Sequence, residues 1–94
     1  MEHELKTDPL VFDAVKEGRK TFEIRKNDRD YHVGDTLFLR KTHFTGVEMA
    51  ANTDDMPLIY TGDELRTVIT HILHGPIYGL MEGWSILSTK LISN

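Results

Sequence analysis

The 94 residues contain no cysteine, so a disulfide framework, a thiolate metal site and a cysteine nucleophile are all unavailable. No apolar run approaches the roughly 20 residues that a membrane-spanning helix needs. The opening Met1-Glu2-His3-Glu4-Leu5-Lys6 lacks the basic-then-apolar order of a signal peptide. The expectation is a cytoplasmic protein with no membrane partner. Repeats, linkers and low-complexity segments are missing too, so residues 1–94 read as a single domain. What is present is 39% apolar and 28% charged, a composition that can bury a core and argues against overall disorder.

A net charge of −4 speaks against a polyanionic partner until its distribution is examined. Residues 16–41 hold Lys16, Arg19, Lys20, Arg25, Lys26, Arg29, Arg40 and Lys41 against five acids, a window of +3 in a chain that is otherwise −7. A local field of that sign can attract anions whatever the net value. The same charges would also serve as the solvated surface of a small protein.

Thr7 or Asp8 can cap a helix that Pro9 opens, and Leu10, Val11, Ala14 and Val15 give it one apolar stripe. Gly18 stops it, so the helix runs from about Pro9 to Glu17. From Thr21 the period becomes two: Phe22 and Ile24 share one face, and Thr21, Glu23 and Arg25 the other. Strands are also expected at residues 3–7, 36–40, 66–73 and 84–91. Residues 42–65 have little periodicity and read as a long loop. One helix and about five strands make a small α+β fold, a curled sheet or β-barrel with the N-terminal helix packed at one end.

The segment between helix and strand holds Gly18, Lys20, Glu23 and Arg25 at fixed spacing. A Lys and an Arg near a strand mouth can bind phosphate or base edges, the Arg through planar bidentate donors. A lysine buried beside a second cation can also serve as a base. Strict alternation places Lys20 with Phe22 and Ile24, so it meets Glu23 and Arg25 only if the helix-to-strand junction turns it. The structural alternative is that Glu23 and Arg25 form ordinary cross-strand pairs.

Gly18-x-Lys20-x-x-Glu23-x-Arg25 resembles the G-x-K-x-x-E-x-R signature of the ASCH domain, a small β-barrel similar to the PUA domain. "HELKT", "FEIRKNDRDYHVGD", Thr61-Gly62, "VITHIL" and "GL…GWSIL" extend the likeness to a short bacterial and phage subgroup over nearly the whole chain. The resemblance implies a PUA-like fold and a cleft beside the helix that takes RNA or a nucleotide. Lys20, Glu23 and Arg25 would line it and Gly18 would make the turn. Arg19, Lys26, Arg29 and Lys16 would add contacts to phosphate or base edges. Some ASCH relatives hydrolyse N4-acetylcytidine, using the signature Lys, a Thr nucleophile and a later Glu. Here Glu23 stands where that Thr belongs, and Thr21 lies two residues early. An enzyme would therefore use Lys20 and Glu23 as its acid–base pair, on a modified nucleoside or on RNA, with Glu82 or an acid of residues 42–65 as second carboxylate. A protein-binding adaptor is a third reading.

Tyr31, Tyr78 and Trp84 are aromatic candidates for stacking on a base; Gly-flanked Tyr78 suits that role best, and Trp84 suits the core. His3 reads as a satisfied core or surface histidine, with the cleft as the alternative. His71 and His74 point to opposite strand faces with no third ligand spaced to help, so no metal or cofactor is implied. Asp54, Asp55, Asp63 and Glu64 make the long loop acidic and would confine an RNA footprint to the basic side.

Overall fold

A computed structural model describes residues 1–51 and 59–93. It is a small α+β fold in which five strands form one sheet of order β1-β3-β4-β5-β2. The elements are β1 (Glu2–Thr7), α1 (Pro9–Lys16), β2 (Phe22–Lys26), β3 (Thr36–Thr42), α2 (Gly46–Ala51), β4 (Tyr60–His74) and β5 (Trp84–Ser93).

The first helix forms for the reasons its sequence suggests. Asp8 is the N-cap: its Oδ1 accepts from the Leu10 and Val11 N–H groups at 2.8 and 3.3 Å, with Pro9 in the first turn. At the other end, Gly18 has φ +78°; its N–H bonds the Val15 carbonyl and the Arg19 N–H bonds that of Ala14. That pair of bonds is a Schellman motif, and the left-handed residue it requires is why glycine stands there. Phe12 and Val15 go into the core, and the helix packs on β3.

β1 alternates cleanly, with His3, Leu5 and Thr7 inward, and it runs parallel to β3. β3 and β4 are antiparallel, as are β4 and β5, and β5 carries β2 on its far side. Leu37, Leu39, Leu65, Ile69 and Leu87 from three adjacent strands join Leu5, Phe12, Val15 and Tyr31 in one core. Truncating a fully buried Leu in such a core costs about 2–5 kcal/mol.

The expected loop at 42–65 is corrected. Thr42 still belongs to β3, Gly46–Ala51 form α2, and β4 begins at Tyr60 rather than Arg66. The helix starts on a capping box: Thr45 Oγ1 accepts from the Glu48 N–H at 3.1 Å, and Glu48 Oε1 from the Thr45 N–H at 2.9 Å. Asp54 and Asp55 lie outside the described residues. The barrel is also a half-barrel: β1 and β2 are the ends of the sheet and, among the described residues, pair with no strand on their outer sides. Residues of both ends nevertheless line the same two cavities, so the sheet curls until its edges face each other across a gap. Among the described residues, no helix is long and apolar enough to cross a membrane.

Candidate functional site

β2, at one side of this gap, has its polarity inverted. Phe22 and Ile24 are 41% and 52% exposed, whereas Glu23 between them is only 3% exposed. A charged side chain directed inward, with apolar neighbours outward, gives away burial energy and needs partners. Glu23 has two. Lys20 Nζ bonds its Oε2 at 2.8 Å, and Arg25 Nη2 bonds its Oε1 at 3.2 Å. The junction after Gly18 thus turns Lys20 onto Glu23, which strict alternation alone would not do. Lys20 Nζ also donates to the Phe22 carbonyl and sits 4.9 Å from the Phe22 ring centroid. Both carboxylate oxygens are engaged, and the triad carries one net positive charge.

Two cavities follow the gap. The first, about 260 Å³, is lined by Lys20, Glu23, Arg25 and Phe22 from one side, Lys6, Thr7, Asp8 and Val11 from the other, and Gly46 and Met49 from α2. The second, about 370 Å³, is lined by Leu5, Lys6, Arg25, Lys26, Asp28, Arg29, Tyr31 and Trp84. They share Lys6, Ile24 and Arg25, so they form one groove. Arg29 bridges it by donating to the Glu4 carbonyl on the free side of β1. Asp8 fixes the α2 end, its Oδ2 accepting from the Gly46 N–H at 2.7 Å.

The rest of the basic window is neutralised elsewhere. Arg40 pairs with Glu4 at 3.3 Å and Glu64 at 3.5 Å, and Lys41 pairs with Asp13 at 3.0 Å. Arg19 pairs with Glu17 at 2.9 Å on the exposed surface, and Lys16 lines a separate cavity beside Asp63 and Glu64. What remains for the groove is Lys6, Lys20, Arg25, Lys26 and Arg29.

The sequence-predicted residues therefore divide. Lys20, Glu23 and Arg25 come together, with Lys26 and Arg29 further along the groove. Gly18 makes the turn but lines neither cavity; Arg19, Thr21 and Glu82 do not line them either. Tyr78 is 93% exposed at φ +47° in the connection between β4 and β5, outside both cavities. Trp84 lines the groove half-buried instead of joining the core. Tyr31 does the reverse of the expected stacking: it is 5% exposed, with its ring edge against His3 at 4.7 Å between centroids. Burial pushes its phenol pKa up against the pull of Arg29 and Arg25. Lys6 was missed; its only signal is an outward position on a strand that turns out to be a sheet edge.

His3 belongs to a different network. Its Nε2 bonds Asp35 Oδ2 at 2.8 Å, and Asp35 also accepts from the His32 N–H and the α-amino group of Met1. The His3 hydrogen bond is the main reason that the Asp35 pKa falls to about 2. His74 Nδ1 bonds Ser85 Oγ at 2.9 Å, and no metal-binding cluster occurs among the described residues.

Comparison with known proteins adds two matches. A family model described as "Domain of unknown function (DUF3850)" matches residues 2–89. A protein of Escherichia phage P2 described as "Uncharacterized 12.9 kDa protein in GpA 3'region" is 37% identical over 95 residues, taking in 97% of this chain and 85% of the relative.

Proposed function

The chain belongs to the DUF3850 family, and from that premise and the geometry of the groove we propose that it is a cytoplasmic RNA- or nucleotide-binding module of the ASCH, PUA-like kind. The observation that carries this reading is the inverted strand β2. It places a buried, doubly paired Glu23 behind Lys20 and Arg25, at the wall of a groove with five cations and three carboxylates. The excess of cations leaves the groove positive, and two of the carboxylates, Glu23 and Asp8, are already hydrogen-bonded.

Lys20 and Arg25 each spend one donor or two on their neighbours and keep others for a ligand. Phosphate oxygens and the acceptor edges of bases fit that chemistry. Glu23 orients the two cations. This engagement disfavours the hydrolytic reading, because a general base needs a carboxylate oxygen that is available to water. Thr7, the threonine that lines the first cavity, donates its hydroxyl to the Leu5 carbonyl.

The test is fluorescence anisotropy with labelled single-stranded and hairpin RNAs at low salt. Binding should weaken steeply with salt. Lys20→Ala and Arg25→Ala should each weaken it about tenfold, as expected for losing one charge-assisted contact. No binding by the folded wild-type protein to any RNA would refute the proposal. Turnover of N4-acetylcytidine abolished by Glu23→Gln would favour the enzyme instead.

A further inference from the structure

The second cavity holds a feature that RNA binding in general does not require. Tyr31 is buried in the core by its ring, yet it also lines this cavity. Its hydroxyl bonds no other described residue. Among the described residues, the polar side-chain atoms sealed from solvent without a partner are Arg40 Nε and Thr67 Oγ1. The Tyr31 hydroxyl is not among them, and Tyr31 lines the groove. The same cavity is lined by Arg25, Arg29, Lys26 and Lys6, with Asp28 the carboxylate among its lining residues. Arg29 and Arg25 pull the phenol pKa down while Asp28 and Glu23 push it up, and both arginines line the cavity that Tyr31 lines.

We infer that the Tyr31 hydroxyl, Arg25 and Arg29 form a phosphate subsite in the second cavity, next to the Lys20–Glu23–Arg25 wall. The subsite rests on the nucleotide-binding reading for the identity of its ligand, a phosphate ester. Tyr31 is suited to it because a phenol held rigidly by its ring can donate one directed hydrogen bond without the entropy cost of a long side chain. Arg25 and Arg29 each have one donor committed, to Glu23 Oε1 and to the Glu4 carbonyl, and a guanidinium has five. The remaining donors belong to side chains that line the cavity, and a guanidinium suits bidentate oxyanion recognition. Arg25 belongs to both cavities and would couple a nucleoside in the first to a phosphate in the second.

Trp84, the chain's one tryptophan, lines the same cavity and supplies a built-in probe. The experiment titrates the protein at low salt with inorganic phosphate, with the four nucleoside 5′-monophosphates, with the matching nucleosides and with a dinucleoside monophosphate. Trp84 fluorescence is the readout. The expected result is that phosphate alone perturbs Trp84 and that monophosphates bind about tenfold or more tightly than nucleosides, the scale of one or two charge-assisted hydrogen bonds. The preference should fall to within about threefold in Tyr31→Phe, which keeps the ring on His3 and removes only the hydroxyl. Arg29→Gln, at an exposed position, should do the same.

Preference for monophosphates identifies a terminal phosphate, and equal binding of the dinucleoside monophosphate identifies a bridging one. If Trp84 does not respond to phosphate, or if Tyr31→Phe keeps the full preference in a folded protein, the subsite is wrong. RNA binding that depends on Lys20 but not on Tyr31 overturns the subsite alone. Tyr31-dependent phosphate binding without any RNA or nucleoside binding overturns the wider reading and leaves the subsite.

Discussion

Asp35 and Glu23 are both nearly buried carboxylates, Asp35 held by three partners and Glu23 by two. They differ in what those partners have left over. Asp35 is bound by His3, itself 5% exposed, and by two backbone-derived groups, and it lines none of the described cavities. Its partners tie β1 to the start of β3 and line none of those cavities either. Glu23 is bound by Lys20 and Arg25, whose side chains are 19% and 27% exposed and which line the groove. A buried carboxylate whose partners line no cavity is structural. One whose partners keep donors facing a cavity organises a site.

That contrast can be broken by substitution. Removing one member of a buried ion pair costs about 3–5 kcal/mol when both groups are enclosed, and less here because both cations reach solvent. Glu23→Ala should therefore lower stability by about 2–3 kcal/mol in urea unfolding, and also weaken RNA binding as Lys20 and Arg25 lose their orientation. Asp35→Asn should cost about 2 kcal/mol, the scale of a charge-assisted network, while leaving RNA affinity within about twofold. Its pH signature has a defined sign. The folded pKa of about 2 lies below the ordinary 3.8, so the Asp35 contribution is full above about pH 4 and lost as pH falls toward 2. Thermal unfolding of wild type and Asp35→Asn between pH 6 and 2 should converge at the acid end.

Smaller effects sharpen the same division. Lys26→Ala should leave stability unchanged and reduce the slope of log affinity against log salt by about 0.7, as for one phosphate contact to a single strand. Tyr78→Gly should relieve the left-handed backbone at φ +47°, alter stability by less than about 1 kcal/mol and leave RNA binding intact. A large loss of affinity in that variant would instead restore Tyr78 as a stacking residue.

The sequence disclosed most readily what depends on short-range chemistry. Helix α1 was legible from Asp8, Pro9 and Gly18 because caps act within a few residues. The strands were legible where side chains alternate strongly. β4 was read too short because its first turn of chain, Thr61-Gly62-Asp63-Glu64, is polar; its pairing is imposed by β3, with Glu64 opposite Arg40 and Tyr60 opposite Thr42. The α2 helix has too few residues for periodicity, although Thr45 and Glu48 spell its capping box. The spacing of Lys20, Glu23 and Arg25 marked one wall of the site. Lys6 on the opposite wall could not be found that way, since it joins the site only when the sheet curls β1 toward β2. Which face of β2 turns inward was equally hidden: hydrophobicity favours Phe22 and Ile24, and the ion pairs of Glu23 prevail.

On the proposed function, the gap between β1 and β2 is the ligand site and the Asp35 network is not. Backbone amide NMR shifts on adding a short single-stranded RNA test it most directly. Changes should concentrate at Lys6, Lys20, residues 22–26 and Arg29, with His3, Asp35 and Leu37 unmoved. Shifts centred on Asp35, on the 75–83 connection or on the Lys16 cavity, with the gap silent, would contradict it.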